Sequence, residues 1–497
     1  IFVLAKSILI AGSWVSIGVL LGRIIGFFRE AYIANLFGVS RSADIVIFVL
    51  TIPGLLVNIL VAGGLSAALI PQFKQHGNQD AANLFFQFSL VFGVVCIAIT
   101  ILLIQFTDTL VSLFAPGFES ATHAEAGRLL GLVMWLVPLT CFAGITTAYL
   151  QSMERFAIPA LGTLIFNLFI LAGLFVFQQS TGRALDVIIW FVLMGGLVRW
   201  ISQLGRLGST LLLVKIRRGW LLTADLFHRY FQAVAAIGML AMYPVIIRAL
   251  ATFEGPGSLA SMNYAIKLVE LPLGTVVTVL SVVLYPRLSA SFTEKNIPQF
   301  LSLLRTGMLF STLLGITIAI AMLTSVHSIV NLVYGWGVMS TVELGSISQL
   351  FAIYSLSLPF QGLIVMLTSA FNAQKKTMEP MKLSLAGLVL LVILCGFGSY
   401  TFGLEGLAMA IVTTYLLLSG LFIFRFLQSN KSVLAQTEIK FRKILLPLGF
   451  AVVISLAASL VFTVLNFNDI LTLLISLLIA TLSIVTSGII SKRMKLV

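Results

Sequence analysis

The feature that most constrains this chain is the recurrence, from end to end, of apolar runs about 20 residues long, the length a helix needs to cross roughly 30 Å of hydrocarbon. The runs do not alternate residue by residue as the strands of a membrane barrel do, so each predicts a helix. Fourteen candidate spans result, at 8–38, 44–71, 83–105, 127–150, 157–178, 187–205, 230–252, 259–286, 303–325, 347–371, 381–400, 404–424, 444–466 and 470–490. Composition agrees: 59% of the 497 residues are hydrophobic and 9% are charged, outside the range of soluble domains. The expectation is an all-α polytopic membrane protein. The first run is too long for the apolar core of a secretory signal and no small-residue cleavage site follows it, so it is expected to remain as a helix.

A net charge of +13 would suggest nucleic acid in a soluble chain, but its distribution argues otherwise. With the N-terminus in the cytoplasm, the loops and helix ends on that side hold most of the 30 basic residues, among them Lys74, Arg155, Arg206, Lys215, Arg217 and Arg218. The opposite side has Arg41, Arg128 and Arg183, and collects acids such as Asp108, Glu119, Asp186 and Glu254. The positive-inside rule then predicts both termini in the cytoplasm, and the charge is explained without a nucleic-acid partner.

The chain repeats itself. "ADIVIFVLTIPGLLV" and "SMNYAIKLVELPLGTVV" each place charge ahead of a proline inside a span, Pro53 and Pro272. "AYLQSMERFAIPAL" and "AFNAQKKTMEPMKL" match in the same way around Pro159 and Pro380. The offsets, 219 and 221 residues, predict two six-helix lobes, 1–220 and 221–428. An even number of spans per lobe relates the lobes by a pseudo-two-fold axis along the membrane normal. Residues 429–497 form an appended C-terminal helix pair. Pro53-Gly54 and Pro272 with Gly274 interrupt paired spans and are candidate hinges; ordinary helix kinking is the competing reading. "FTDTLVSLFAPGFES" and "VHSIVNLVYGWGVMS" occupy matched positions and are expected to lie as short amphipathic pieces at the outer interface.

Charge inside a span is costly and usually faces a cavity or another charge. Arg23, Arg29, Arg199, Arg248 and Lys267 fall within predicted spans, with Glu30, Asp44 and Glu270. Arg23 and Glu30 share a helical face, Asp44 lies within plausible reach of Arg29, and Lys267 and Glu270 are one turn apart. One reading is a set of ion pairs that only fixes helix register. The other is a surplus of buried cation awaiting an anion, and the planar fork of arginine favours a phosphate or pyrophosphate. On that reading Arg23, Arg29 and Lys267 bind substrate, while Glu30, Asp44 and Glu270 serve as ion-pair or gating partners. His76, His123, His228 and His327 are scattered, so neither a metal nor another cofactor is expected. Cys96, Cys141 and Cys395 lie in apolar runs and read as small core residues. No GxxxxGK[ST] phosphate loop, GxSxG elbow or HExxH helix occurs, so a transporter without its own nucleotide hydrolysis is expected, not an enzyme.

"GRIIGFFREAYIANLFGVSRSADIVIFVLTIPGLL", "LFAPGFES", "YLQSMERFAIPALGTLIFN" and "YAIKLVELPLGTVVTVLSVVLYPRLSASF" resemble the MurJ (MviN) family of lipid II flippases, within the larger superfamily of multidrug and oligosaccharidyl-lipid exporters. The resemblance implies two six-helix lobes, a final helix pair grooved for a lipid tail, and a cationic cavity alternating between inward-open and outward-open states. It also implies the cargo, an undecaprenyl-pyrophosphate-linked peptidoglycan precursor moved to the outer leaflet of the bacterial inner membrane. The family's cavity residues correspond to Arg23, Arg29, Asp44, Lys267 and Glu270. Where relatives carry a basic pair after the second-helix proline this chain has Val57 and Asn58, their nearby glutamate is Ala62, and Lys267 replaces the usual arginine. Two alternatives stay open: a flippase for another lipid-linked oligosaccharide, such as an O-antigen or exopolysaccharide unit, and a cation-coupled multidrug antiporter, which should carry unpaired carboxylates instead. A non-transporting scaffold is a third. The expected partners are the lipid-linked pyrophosphate saccharide and the bilayer, with the protein a monomer in contact with cell-wall synthesis proteins.

Overall fold

The computed structural model of the chain describes residues 2–60, 64–179, 184–207, 220–223, 226, 230, 242–274 and 278–430. The predicted helix pair at 429–497 and much of the span at 230–252 therefore lie outside the described residues. All regular structure among the described residues is helical. The chain divides between Leu259 and Ala260 into two compact units.

The first unit begins with α1 (Phe2–Phe37) and α2 (Arg41–Leu60). Gly38 ends α1 with a left-handed φ of 57° and returns its N–H to the Ala34 carbonyl at 2.9 Å, the stop that glycine makes without a Cβ clash. Ser40 then starts α2 by accepting the Ala43 N–H on its hydroxyl at 3.2 Å, a usual N-cap. The helix runs through Pro53 to Leu60, and α3 (Gly64–Gln75) follows; the predicted span 44–71 covers both, with 61–63 outside the described residues. Next come α4 (Asn78–Gln105), the short α5 (Thr107–Phe114), α6 (Ser120–Val133) and α7 (Leu136–Ser152). The predicted span 127–150 falls across α6 and α7, which are parted by a two-residue turn at Met134–Trp135; Pro138 has no N–H to give the Met134 carbonyl four residues back, so Val137 bonds it instead at 3.0 Å. Two further helices, α8 (Ala157–Gln179) and α9 (Asp186–Leu204), follow, and residues 242–251 are helical as well.

Aromatic rings fill the junction of α3, α4 and α7. Tyr149, fully buried, stacks on Phe85 at 4.7 Å and meets Phe73 edge-on at 5.1 Å. Glycines let the longer helices close on one another: a Cβ at Gly93 would stand 2.4 Å from the Phe142 ring, and one at Gly173 2.6 Å from Cβ of Phe191. Such small-residue contacts are how helices associate where lipid removes the hydrophobic drive between them. The outward faces stay apolar and exposed, for example Leu90, Val94 and Leu102 on α4 and Phe175 on α8, as a lipid-facing surface requires.

The second unit takes in most of α10 (Ser258–Pro272), then α11 (Thr278–Thr293), α12 (Ile297–Thr324), the short α13 (Val326–Tyr334), α14 (Thr341–Ser355), α15 (Leu358–Ala373) and α16 (Met378–Ser429). Helices α14 and α15 meet at a 41° bend, so the predicted span 347–371 is a broken one. Gly315 on α12 lies against backbone of α15, where a Cβ would be 2.7 Å from Cα of Pro359. Within α16, Gly403 adopts φ 57° and ψ −136°, and Gly398 and Gly406 meet backbone to backbone. Eight helical residues span about 12 Å along an axis, so contact between those two glycines requires the chain to reverse at Gly403. α16 is therefore a helical hairpin of 378–402 and 404–429, matching the predicted spans 381–400 and 404–424.

Among the described residues seven helical segments are long and apolar enough to cross a membrane, with α6–α7 taken together and the α16 hairpin counted once, or eight with the bent pair α14–α15 as one span. The repeat is visible in fine structure. α5 and α13 start 219 residues apart in sequence, and Glu154 and Lys375, at φ 63° and 59°, close identical turns. Arg155 N donates to Leu150 O in one turn, and Lys376 N donates to Phe371 O in the other, each at 2.9 Å.

Candidate functional site

In the first unit the site is built on the contact of α1 with α8. Gly18, Gly22 and Gly26, four residues apart, present one bare stripe of α1 to Ala160, Thr163 and Asn167 of α8. A Cβ at Gly26 would stand 3.0 Å from Nδ2 of Asn167. This close approach lets the Asn167 amide donate from Nδ2 to the Gly22 carbonyl at 3.1 Å and accept from Nη1 of Arg29 on Oδ1 at 2.9 Å. With a carbonyl on one side and a guanidinium on the other, the network fixes the amide orientation. Arg29 donates from Nη2 to Oε1 of Glu30. The guanidinium is thus held by two acceptors, with its side chain 19% exposed, and Glu30 is buried. Arg23, two turns nearer the N-terminus, is exposed.

The sequence places Asp44 within plausible reach of Arg29, and the structure shows a backbone contact for it. Asp44, buried at the start of α2, accepts the Gly257 N–H at 2.6 Å. Gly257 sits at φ +84°, and a Cβ there would be 2.5 Å from Val39, so no other residue fits. Five residues earlier, Thr252 accepts the Gly117 N–H on its hydroxyl at 2.9 Å. Asp44 therefore clamps the 252–258 segment onto the loop before α2.

In the second unit Lys267 donates from Nζ to Oε2 of Glu270 at 2.7 Å, one turn along α10. The helix is buried from Leu259 to Ile266 and begins to open at Lys267. Tyr264 anchors the buried part, packed 5.2 Å from the ring of Tyr334 and accepting its hydroxyl on the backbone carbonyl at 3.1 Å. Just past the ion pair, Pro272 ends the α-helix and the backbone widens into a π-turn at Leu273 and Gly274. A helix interrupted beside charge is a recurrent way of presenting a site in membrane transporters. Pro53, by contrast, lies inside unbroken α2, and Gly54 beside it has open space where a Cβ would be.

Asn167 was missed by the sequence reading, although an amide within the apolar run "TLIFNLFIL" is the kind of residue that needs a partner there. Arg199 and Arg248 remain apart from these clusters, each with a buried Nε that lacks a hydrogen-bond partner among the described residues. The cysteines are free and buried. Among the described residues no three metal-ligating side chains come together.

Long apolar helices, interrupted or packed through glycine where they carry cations, define a multi-pass α-helical membrane transporter. The fold is shared with a solved structure described as lipid II flippase MurJ in an inward closed conformation, at a TM-score of 0.80 and 22% identity over 97% of this chain and 99% of that one. It is shared also with an inward-facing MATE-family multidrug resistance transporter, at a TM-score of 0.69 and 12% identity over 86% and 99%.

The chain belongs to the lipid II flippase MurJ family, whose profile matches residues 33–483. A probable lipid II flippase MurJ of Buchnera aphidicola subsp. Schizaphis graminum is 25% identical over 408 residues, 80% of this chain and 79% of the relative. The protein is accordingly a multi-pass transporter of the bacterial inner membrane and not an enzyme.

Proposed function

We propose that this protein moves an undecaprenyl-pyrophosphate-linked peptidoglycan precursor from the inner to the outer leaflet of the cytoplasmic membrane by alternating access. The observation that carries the reading is Arg29, a guanidinium fixed by Asn167 and Glu30 on an apolar helix in a chain of the flippase family. Arg23 and Arg29 in the first unit and Lys267 in the second bind the pyrophosphate. Glu30 and Glu270 hold Arg29 and Lys267 while no cargo is present, and an incoming diphosphate competes with them for the same donors. Exchanging one anion for another keeps the cost of each step small, because a cation in an apolar helix is never left uncompensated. Asp44 contributes by holding the 252–258 segment, and Pro53-Gly54 with Pro272 and Gly274 act as hinges.

The domain reading remains two six-helix lobes, 1–220 and 221–428, with 429–497 as a helix pair for the lipid tail. Both termini face the cytoplasm, on the strength of the charge asymmetry. The protein acts as a monomer, in contact with cell-wall synthesis proteins. Proteoliposomes carrying labelled lipid-linked pyrophosphates test the function. Arg23→Ala and Arg29→Ala should insert normally and lose export of the peptidoglycan precursor; full transport by both variants overturns the assignment. Export of a different lipid-linked saccharide in preference would move the cargo without moving the site.

A further inference from the structure

A second basic site stands at the end of α7, α8 and α9 that carries Arg155 and Arg206. There Leu150, Glu154, Arg155, Phe156, Ile158 and Arg206 are among the residues that line a cleft of about 620 Å³. Arg155 donates from Nη1 to the backbone carbonyl of Arg206 at 2.6 Å, which brings the two arginine positions together. Among the described residues neither arginine has a carboxylate partner: Glu154, though it lines the cleft, is 78% exposed and pairs with Lys74 at 4.0 Å. Like charges set side by side repel unless an anion joins them.

The internal repeat supplies a comparison within the same chain. In the second unit the matching turn also sends its cation to a helix-end carbonyl, Lys376 Nζ to Ser429 O at 3.4 Å. There Glu379 neutralises Arg425, accepting from Nε at 2.6 Å and from Nη2 at 3.3 Å. In the aligned sequences Glu379 falls on Ile158. At the same offset Lys376 falls on Arg155, while Arg425 falls on Leu204 and Lys375 on Glu154, so the first unit keeps the cation of the turn and has an apolar residue where the second has Glu379.

We propose that the Arg155–Arg206 cleft seats the phosphodiester headgroup of an acidic glycerophospholipid. The charge on the rim suits the phosphate, and the walls of Leu150, Phe156 and Ile158 suit the adjoining glycerol and acyl carbons. A basic pocket between helix ends on the cytoplasmic side is where such headgroups bind. α7 and α9 also border an apolar groove of about 360 Å³ that contains Phe142, Thr146, Trp200 and Leu204, a surface along which a chain can lie. The following stretch 208–219 carries Lys215, Arg217 and Arg218 and no acid. The proposal uses the orientation given above and is independent of the transported cargo.

The test is native mass spectrometry of the purified full chain with phosphatidylglycerol, with phosphatidylcholine and with inorganic phosphate as a competitor. The wild type should hold phosphatidylglycerol at least fivefold more tightly than phosphatidylcholine. Ile158→Glu, which restores the carboxylate of the second unit, and Arg155→Gln with Arg206→Gln should each remove that preference. Lys376→Gln should leave it intact. Ile158→Glu keeps the hydrogen bond that Arg155 makes to the backbone, so it reads the site even where the double variant loses stability. An unchanged preference in Ile158→Glu overturns the proposal, as does full displacement of the lipid by millimolar phosphate. Loss of precursor export with lipid binding intact would count against the cargo reading alone.

Discussion

Arg29 donates from Nη1 to Oδ1 of Asn167 at 2.9 Å, joining α1 to α8 across 138 residues of sequence. The bond does two things: it neutralises nothing, because an amide has no charge, and it aims the guanidinium. Asn167→Leu removes the aim, and the lost charge-assisted hydrogen bond should cost about 1.5–3 kcal/mol. Asn167→Asp keeps the acceptor but adds a second carboxylate beside Arg29. The melting temperature should fall in both variants, since each loses the Nδ2 donor to the Gly22 carbonyl, while export drops about tenfold in both. Export preserved in Asn167→Asp would show that the net charge at Arg29 is irrelevant.

The glycine stripe is the second lever. Gly22→Ala would set a methyl 3.2 Å from Cβ of Thr163, and Gly26→Ala one 3.0 Å from Nδ2 of Asn167. Overpacking of this kind costs about 1–3 kcal/mol. Both variants should melt at lower temperature, and only Gly26→Ala should also lose export beyond what its lost stability explains, because it alone presses on the residue that aims Arg29.

Much of this architecture was legible in the chain. Apolar run length marks α4, α8 and α12 directly, and the turn at Gly403 separates two runs that were read as two spans. The breaks within spans were harder. The turn at Met134–Trp135 follows from Pro138, four residues on, which cannot donate to the Met134 carbonyl, but a proline inside an apolar run does not by itself say whether the span bends or is interrupted. At the site, the cations stood out because charge is rare in apolar runs, but their partners did not. Helical spacing set Glu30 with Arg23, yet the long side chain of Arg29 reaches its immediate neighbour. Asp44 was read as a counter-charge for Arg29 because both are near in sequence. The Gly257 N–H that it accepts is a backbone group 213 residues away, and no pattern of side chains announces it.

Gly54 separates a hinge from a kink. A Cβ there meets nothing within 4 Å, so Gly54→Ala removes backbone freedom without a clash and should raise stability by about 0.4–1 kcal/mol. A hinge should nevertheless pay in rate. Export should slow severalfold while the melting temperature is unchanged or higher, and an unaltered rate would return Pro53-Gly54 to an ordinary helix kink.

The clamp at Asp44 gives the last prediction. A buried carboxylate accepting a backbone N–H makes a hydrogen bond worth more than a neutral one, and Asp44→Ala leaves the Gly257 N–H buried without that acceptor. Asp44→Asn keeps an acceptor oxygen of the same reach and loses the charge. Gly257→Ala strains the backbone at φ +84° and drives a methyl to 2.5 Å from Val39, so it should destabilise by about 2 kcal/mol or more. Hydrogen exchange over 252–258 should therefore rise strongly in Asp44→Ala and Gly257→Ala and weakly in Asp44→Asn. If Asp44 were instead a direct ligand of the cargo, Asp44→Asn would abolish export while exchange in that segment stayed at the wild-type level.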